Sequence, residues 1–234
     1  MSLTSTIKAI LFDLDNTLIN IDIDAFVKNY VLLLSNYVKE YVPTRKFIAR
    51  LMKVSKKVEQ NNGESTNEEV FAEYFFPLEG YMRDDLEPLF DEFYIEEYPK
   101  LQKFTNQKPE ARSTIKKCFE NGYKVVIATT PLLPETAIKQ RLTWAGVGDF
   151  DYDLITSYEH VSATKPNLLY FEDIARQIKV PLENCLMVGD EDKDMVVAKL
   201  GCKTFLIRGP NTDLSSDTPK PDYEGTLSDL KDLI

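Results

Sequence analysis

The sequence predicts an α/β fold in which a parallel sheet with helices on both faces is interrupted by an all-helical insertion. Three observations carry this. Short runs such as "AILF", "KVVIAT", "CLMVGD" and "KTFLIRG" are apolar with no regular polar alternation, as in strands covered on both faces. Helix-length segments alternate with the later runs, the pattern of a parallel sheet. Between the first run and the second, about residues 21 to 105 carry helical spacing alone. A chain of 234 residues can hold one α/β domain bearing a smaller inserted one.

Residues 7 to 12 form the first strand. The insertion then opens on Phe26, Val27, Tyr30, Leu33, Leu34, Tyr37 and Val38, which recur on one helical face. Thr44 is the expected N-cap of a second helix running to Val58, and "QNNGESTN" breaks the chain before "EEVFAEYFF" starts a third. A last helical stretch covers about 82 to 103, interrupted near Pro88. A helix from about Pro109 to Asn121 is stopped by Gly122, and the strand "KVVIAT" follows. Next come a helix from about Pro134 to Ala145, the strand "YDLITS" and a helix from Asn167 to Ile178. The strand "CLMVGD", the helix "DMVVAKLG" and the strand "KTFLIRG" complete the alternation, and "GPNTDLSSDTPKPD" reads as a polar loop.

Acidic residues outnumber basic ones by 38 to 28, for a net charge of −10, and no segment concentrates Lys and Arg, which argues against nucleic acid as a partner. No stretch approaches the roughly 18 charge-free apolar residues of a membrane helix. The N-terminus also lacks a basic region followed by an apolar one, so a soluble, cytoplasmic protein is expected. Cys118, Cys185 and Cys202 form no CxxC pair and accompany a single histidine, His160, so they read as reduced, buried thiols. His160 is assigned no role.

The chemistry begins at "DLDNT". Residues two apart on an extended chain project to one side, so Asp13 and Asp15 both face one site where the strand ends. Their repulsion is relieved by a divalent cation or by a raised pKa. In isolation the same residues read equally well as a solvated turn around Asn16. Three further polar signals tip the balance: Thr129 and Thr130 after "VVIA", Lys165 after "YDLITS", and Asp190 after "CLMVG". Each falls where a predicted strand ends, and the carboxyl edge of an open parallel sheet is where ligands bind.

With these four signals in order, the chain resembles the haloacid dehalogenase superfamily, specifically its phosphatase branch. "DLDNT" is similar to the family's DxDxT motif, "VVIAT" to its apolar run ending in Ser or Thr, Lys165 in "TKP" to its lysine motif, and "GDEDKD" to GDxxxD. The resemblance covers residues 1 to 20 and about 106 to 210. It implies a Rossmann-like parallel-sheet core, residues 1–20 and 106–234, with a helical cap, residues 21–105, hinged near Ile19 to Asp22 and Leu101 to Pro109.

It further implies that Asp13 attacks phosphorus and becomes an aspartyl-phosphate, while Asp15 protonates the leaving oxygen and later activates water. Thr129 would hydrogen-bond the phosphoryl group, and Lys165 and Mg²⁺ would offset its charge. Asp13, the backbone carbonyl of Asp15 and Asp190 would bind the metal, with Asp194 a further ligand or a group that orients water. Thr130 and Pro131 depart from the Asn or Gly common after the family's threonine. The aromatic residues of "VFAEYFFPLEGYM", 70 to 82, are expected to form cap core more than pocket wall.

The implied activity is hydrolysis of a small phosphorylated metabolite. A phosphosugar mutase and a non-catalytic phospho-ligand-binding protein are the alternatives. A dehalogenase is disfavoured, because its leaving halide needs no acid at the position of Asp15.

Overall fold

The structure is a computed structural model that describes residues 3, 5–209 and 212–234. Its centre is a six-stranded parallel sheet built from β1 (Ala9–Phe12), β4 (Lys124–Ile127), β5 (Leu154–Ile155), β6 (Cys185–Gly189), β7 (Lys203–Ile207) and β8 (Tyr223–Gly225), in the order β5-β4-β1-β6-β7-β8. The expected α/β class is therefore the observed one.

Alternate residues of the central strands divide between two apolar layers. Ile10, Phe12, Val125, Ile127, Leu186 and Val188 pack on one side, and Ala9, Leu11, Val126, Cys185 and Met187 on the other. That two-sided burial is why these strands are uninterrupted apolar runs. Cys118, Cys185 and Cys202 are free and buried, as expected.

Between β1 and β4 the chain forms β2 (Ile19–Ile21), four helices and β3 (Thr105–Gln107). The helices are α1 (Ile23–Tyr37), α2 (Thr44–Glu59), α3 (Asn67–Phe75) and α4 (Arg83–Glu96). Strands β2 and β3 pair antiparallel, so the chain enters and leaves this helical segment side by side. The segment is thus not purely helical at its margins, where the sequence shows no strand-length apolar run.

Two local expectations are corrected. Pro43, not Thr44, is the N-cap of α2; its extended backbone (φ −55°, ψ 127°) lets its carbonyl accept from the amides of Lys46 and Phe47, which leaves Thr44 as the first helical residue. Pro88 does not interrupt α4, because it sits near the start of that helix and the carbonyl it leaves unpaired, that of Asp84, belongs to an exposed residue that water can satisfy. The break comes later, at Glu97, where a 3-10 turn over Tyr98–Phe104 takes over.

After β3 come α5 (Ala111–Glu120), α6 (Glu135–Trp144) and α7 (Leu168–Ile178) at the expected places. The expected helix "DMVVAKLG" divides into α8 (Asp192–Met195) and a 3-10 turn, Val196–Leu200, that ends on Gly201 in the left-handed region (φ 82°). The polar stretch before the C-terminus is followed by β8 and by α9 (Leu227–Leu233), capped by Thr226, neither of which was expected. Pro210 and Asn211 of that stretch lie outside the described residues. Among the described residues, no helix is long and apolar enough to cross a membrane.

Candidate active site

The carboxyl edge of the sheet gathers the residues singled out above. The amide of Asp13 still donates into the sheet, to the carbonyl of Val188 at 2.8 Å, so its position is fixed by β6. The chain then turns sharply, with the amides of Leu18 and Ile19 both donating to the carbonyl of Leu14. Asn16 adopts a left-handed conformation (φ 57°), which asparagine tolerates better than most residues, and its side chain accepts from the amide of Ile21.

Lys165 is the electrostatic centre. Its Nζ donates to Asp13 Oδ1 at 2.7 Å and to Asp194 Oδ1 at 2.5 Å, and no part of its side chain is exposed. Burial pulls this ammonium's pKa down, but the Asp13 and Asp194 carboxylates outweigh it and hold the group well above the ordinary lysine range.

One carboxylate oxygen from each of Asp13, Asp190 and Asp194 lies within 4.8 Å of the others. Against these acids Lys165 supplies the one fully buried positive charge in contact. The surplus negative charge is visible in Asp190, pushed up to about 8 by burial first and then by Asp13, Asp194 and Glu191. Asp194 rises to about 6, chiefly from burial, with Lys165 opposing. A cluster of hard oxygen donors with uncompensated charge fits a divalent cation of the Mg²⁺ type.

The two motif acids differ in their other contacts. Asp190 Oδ1 accepts from the Thr17 hydroxyl at 3.2 Å. Asp194 already has both oxygens engaged, Oδ1 by Lys165 and Oδ2 by the amide of Glu191 at 3.3 Å. It also sits directly against Gly189, where a Cβ would fall 2.2 Å from Asp194 Oδ2. Gly189→Ala is therefore expected to displace Asp194 and slacken Lys165, weakening any divalent-cation binding at the cluster and turnover by about 10- to 100-fold, the usual cost of disturbing the groups that support metal ligands. Calorimetric Mg²⁺ titration of the variant beside the native chain checks this.

Asp15 stands outside the acidic cluster. Its Oδ2 accepts from Arg141 on α6 at 2.5 Å, and its Oδ1 is buried with no hydrogen-bond partner among the described residues. Arg141 is 4% exposed; burial works against its charge, but Asp15 holds its pKa above the ordinary value. The sequence reading missed Arg141. The available signal was a charged residue in the buried stripe formed by Ala137, Ile138 and Leu142.

Thr129 is 2% exposed at the end of the β4 segment, and its carbonyl accepts from the Tyr170 hydroxyl at 2.8 Å and the Thr156 hydroxyl at 2.9 Å. Thr129, Thr130, Asp13 and Asp15 open onto one cavity of about 460 Å³ that runs into the helical segment. Phe71, Phe75 and Phe76 line it while Phe75 also stacks on Phe71 and meets Phe76 edge-to-face, so the aromatic stretch is both core and wall. His160 is exposed and its Nδ1 contacts Ser157 and the carbonyl of Ile155, apart from these groups.

Comparison with known proteins identifies the family and the fold. The family described as haloacid dehalogenase-like hydrolase matches residues 7–201. The chain is 33% identical to the pyrophosphatase PpaX of Halalkalibacterium halodurans over 127 residues, 52% of this chain and 56% of that protein. It is 25% identical to a phosphoglycolate phosphatase of Vibrio parahaemolyticus over 149 residues, 62% of this chain and 63% of that one. The matches thus span a little over half the length of these relatives. Among solved structures, a HAD phosphatase from Thermococcus onnurineus shares the fold with a TM-score of 0.60 at 18% identity, covering 97% of both chains. The L-2-haloacid dehalogenase of Xanthobacter autotrophicus does so with a TM-score of 0.58 at 14% identity, covering 97% of this chain and 98% of that one.

Proposed function

The chain belongs to the haloacid dehalogenase-like hydrolases, and from that premise we propose that it is a Mg²⁺-dependent phosphatase acting on a small phosphorylated metabolite through an aspartyl-phosphate. The observation that carries this reading is the pairing of unlike carboxylates. Asp13 is held by Lys165 beside an acidic cluster, while Asp15, anchored by Arg141, stands outside that cluster, and both residues line the cavity.

A carboxylate oxygen of Asp13 attacks phosphorus, and the bond from phosphorus to the ester oxygen breaks. Asp15 in its acid form gives its proton to that oxygen as the alcohol leaves, and Arg141, which already holds Asp15, offsets the charge of the carboxylate that remains. Water next attacks the phosphoryl group, passes a proton to Asp15, and releases inorganic phosphate from Asp13. Splitting one displacement into two lowers each barrier. Lys165 fixes the nucleophile and offsets the charge that gathers on phosphorus, and Thr129 hydrogen-bonds the phosphoryl oxygens. Asp13, Asp190 and the carbonyl of Asp15 would hold Mg²⁺, which supplies further charge neutralisation of the phosphate. With both oxygens engaged, Asp194 is better suited to positioning Lys165 than to direct ligation. The α1–α4 segment acts as a cap that keeps bulk water from the phosphoenzyme.

The test is phosphate release from phenyl phosphate with Mg²⁺ and with excess chelator. Release is expected only with the metal; equal rates in both would remove the metal from the proposal. Asp190 adds a pH dependence. Its folded pKa, about 8, lies above the ordinary carboxyl value of 3.8. Its contribution to stability is therefore full below about pH 4 and lost as pH rises to about 8. The melting temperature of the metal-free chain should decline over that window, and the increment from Mg²⁺ should grow over it. Thermal melts across that window, with and without Mg²⁺, read both trends.

A further inference from the structure

The cavity carries information about the leaving group that the reacting residues do not, and the following rests on the phosphatase reading above. Six phenylalanines, Phe26, Phe47, Phe71, Phe75, Phe76 and Phe90, line it beyond the carboxylates. Phe47, Phe75 and Phe90 form a mutually packed edge-to-face cluster with centroids 5.7 to 6.1 Å apart, so this wall is held by its own ring contacts. Aliphatic side chains from α1 and α2, among them Val27, Val31 and Leu51, complete the apolar surface.

The charged groups on the wall point the same way. Three cations line the cavity, Arg83, Arg141 and Lys193, and each is ion-paired: Arg83 with Glu68 and Glu87, Arg141 with Asp15, Lys193 with Glu191. Two further acids, Glu59 and Asp91, also line it. A leaving group bearing a second phosphate or a carboxylate would meet no uncommitted cation among the described residues, and would lie near these acids. An uncharged apolar leaving group meets ring faces and methyl groups, and gains by leaving water.

From this we infer that the substrate is the phosphate monoester of an uncharged, predominantly apolar alcohol, which separates this chain from relatives named for pyrophosphate and phosphoglycolate. Asp13 and Lys165 take the phosphate end, and the α1–α4 rings take the alcohol.

The experiment is a kcat/KM series in saturating Mg²⁺ with n-propyl, n-butyl, n-pentyl and n-hexyl phosphate, beside phosphoglycolate and pyrophosphate. The four alkyl esters have nearly equal leaving-group reactivity, so differences among them report binding. Each added methylene is expected to raise kcat/KM about three- to fourfold. n-Hexyl phosphate should then exceed phosphoglycolate by about 50-fold or more. A second arm uses the double variant Glu68→Gln, Glu87→Gln, which leaves Arg83 without its carboxylates and should move the hexyl-to-phosphoglycolate ratio at least about tenfold toward phosphoglycolate. A flat alkyl series, or a native preference for either anionic substrate, overturns the inference while leaving the phosphatase reading standing. Absence of phosphate release from all six compounds, with Mg²⁺ present, overturns the phosphatase reading and this inference with it.

Discussion

Asp13→Asn is expected to lower phosphate release by at least about 10³-fold, because an amide cannot form the covalent phosphoenzyme that the proposed mechanism requires. The substitution is nearly isosteric, and the amide oxygen still accepts from Lys165, whose Nζ lies 2.7 Å from Asp13 Oδ1. The fold should therefore survive. Rapid acid quenching followed by peptide mass analysis locates the chemistry: the native enzyme should carry a phosphoryl group on the peptide containing Asp13, and the variant none. Activity close to native in the variant would exclude Asp13 as nucleophile.

Lys165→Met should cost both stability and activity. The methionine fills much the same volume but strips the ammonium from between Asp13 and Asp194, whose side chains are 7% and 0% exposed. Removing one partner of a buried ion pair leaves uncompensated charge and typically costs about 3 to 5 kcal/mol. Urea unfolding without metal should show a loss of that order. Adding Mg²⁺ should return part of it, since the cation faces the same carboxylates. Turnover should fall by about 10²- to 10³-fold, the scale of losing one preorganised charge opposite a developing oxyanion. Unchanged stability would show that the carboxylates are relieved by protonation instead of by the lysine.

The parts of the fold that could be read in advance are those where one physical cause dominates. β1, β4, β6 and β7 announce themselves because both faces are buried and every residue but a terminal lysine is apolar or small. β8, with the sequence Tyr-Glu-Gly, has no such run; it exists because its backbone pairs with β7 and α9 packs beneath. Pro88 was misleading for a local reason: it lies near the start of α4, where the carbonyl left without a donor belongs to the exposed Asp84.

The site divides along the same line. Asp13, Lys165 and Asp190 were legible because each polar residue follows a predicted strand, and a parallel sheet brings such ends together. Arg141 was not, because it lies mid-helix on α6, and only three-dimensional packing brings that helix against Asp15. The cavity was half legible: its aromatic residues were evident, but whether rings fill a space or border it depends on how four helices pack.

The position of β1 has a consequence for how the protein is made. This strand occupies the middle of the sheet, with Ala9 paired to Lys124 on one side and to Cys185 on the other. During synthesis it leaves the ribosome before both of its partners, which follow only after the whole α1–α4 segment and, for β6, much of the chain beyond it. Until then an apolar strand with two open edges must wait, the condition under which nascent chains recruit chaperones or aggregate. Ribosome-bound chains truncated before β6 should therefore remain protease-sensitive around β1 and acquire protection together with β6, so that Asp13 is made before the other residues of the candidate site and is among the last to be secured.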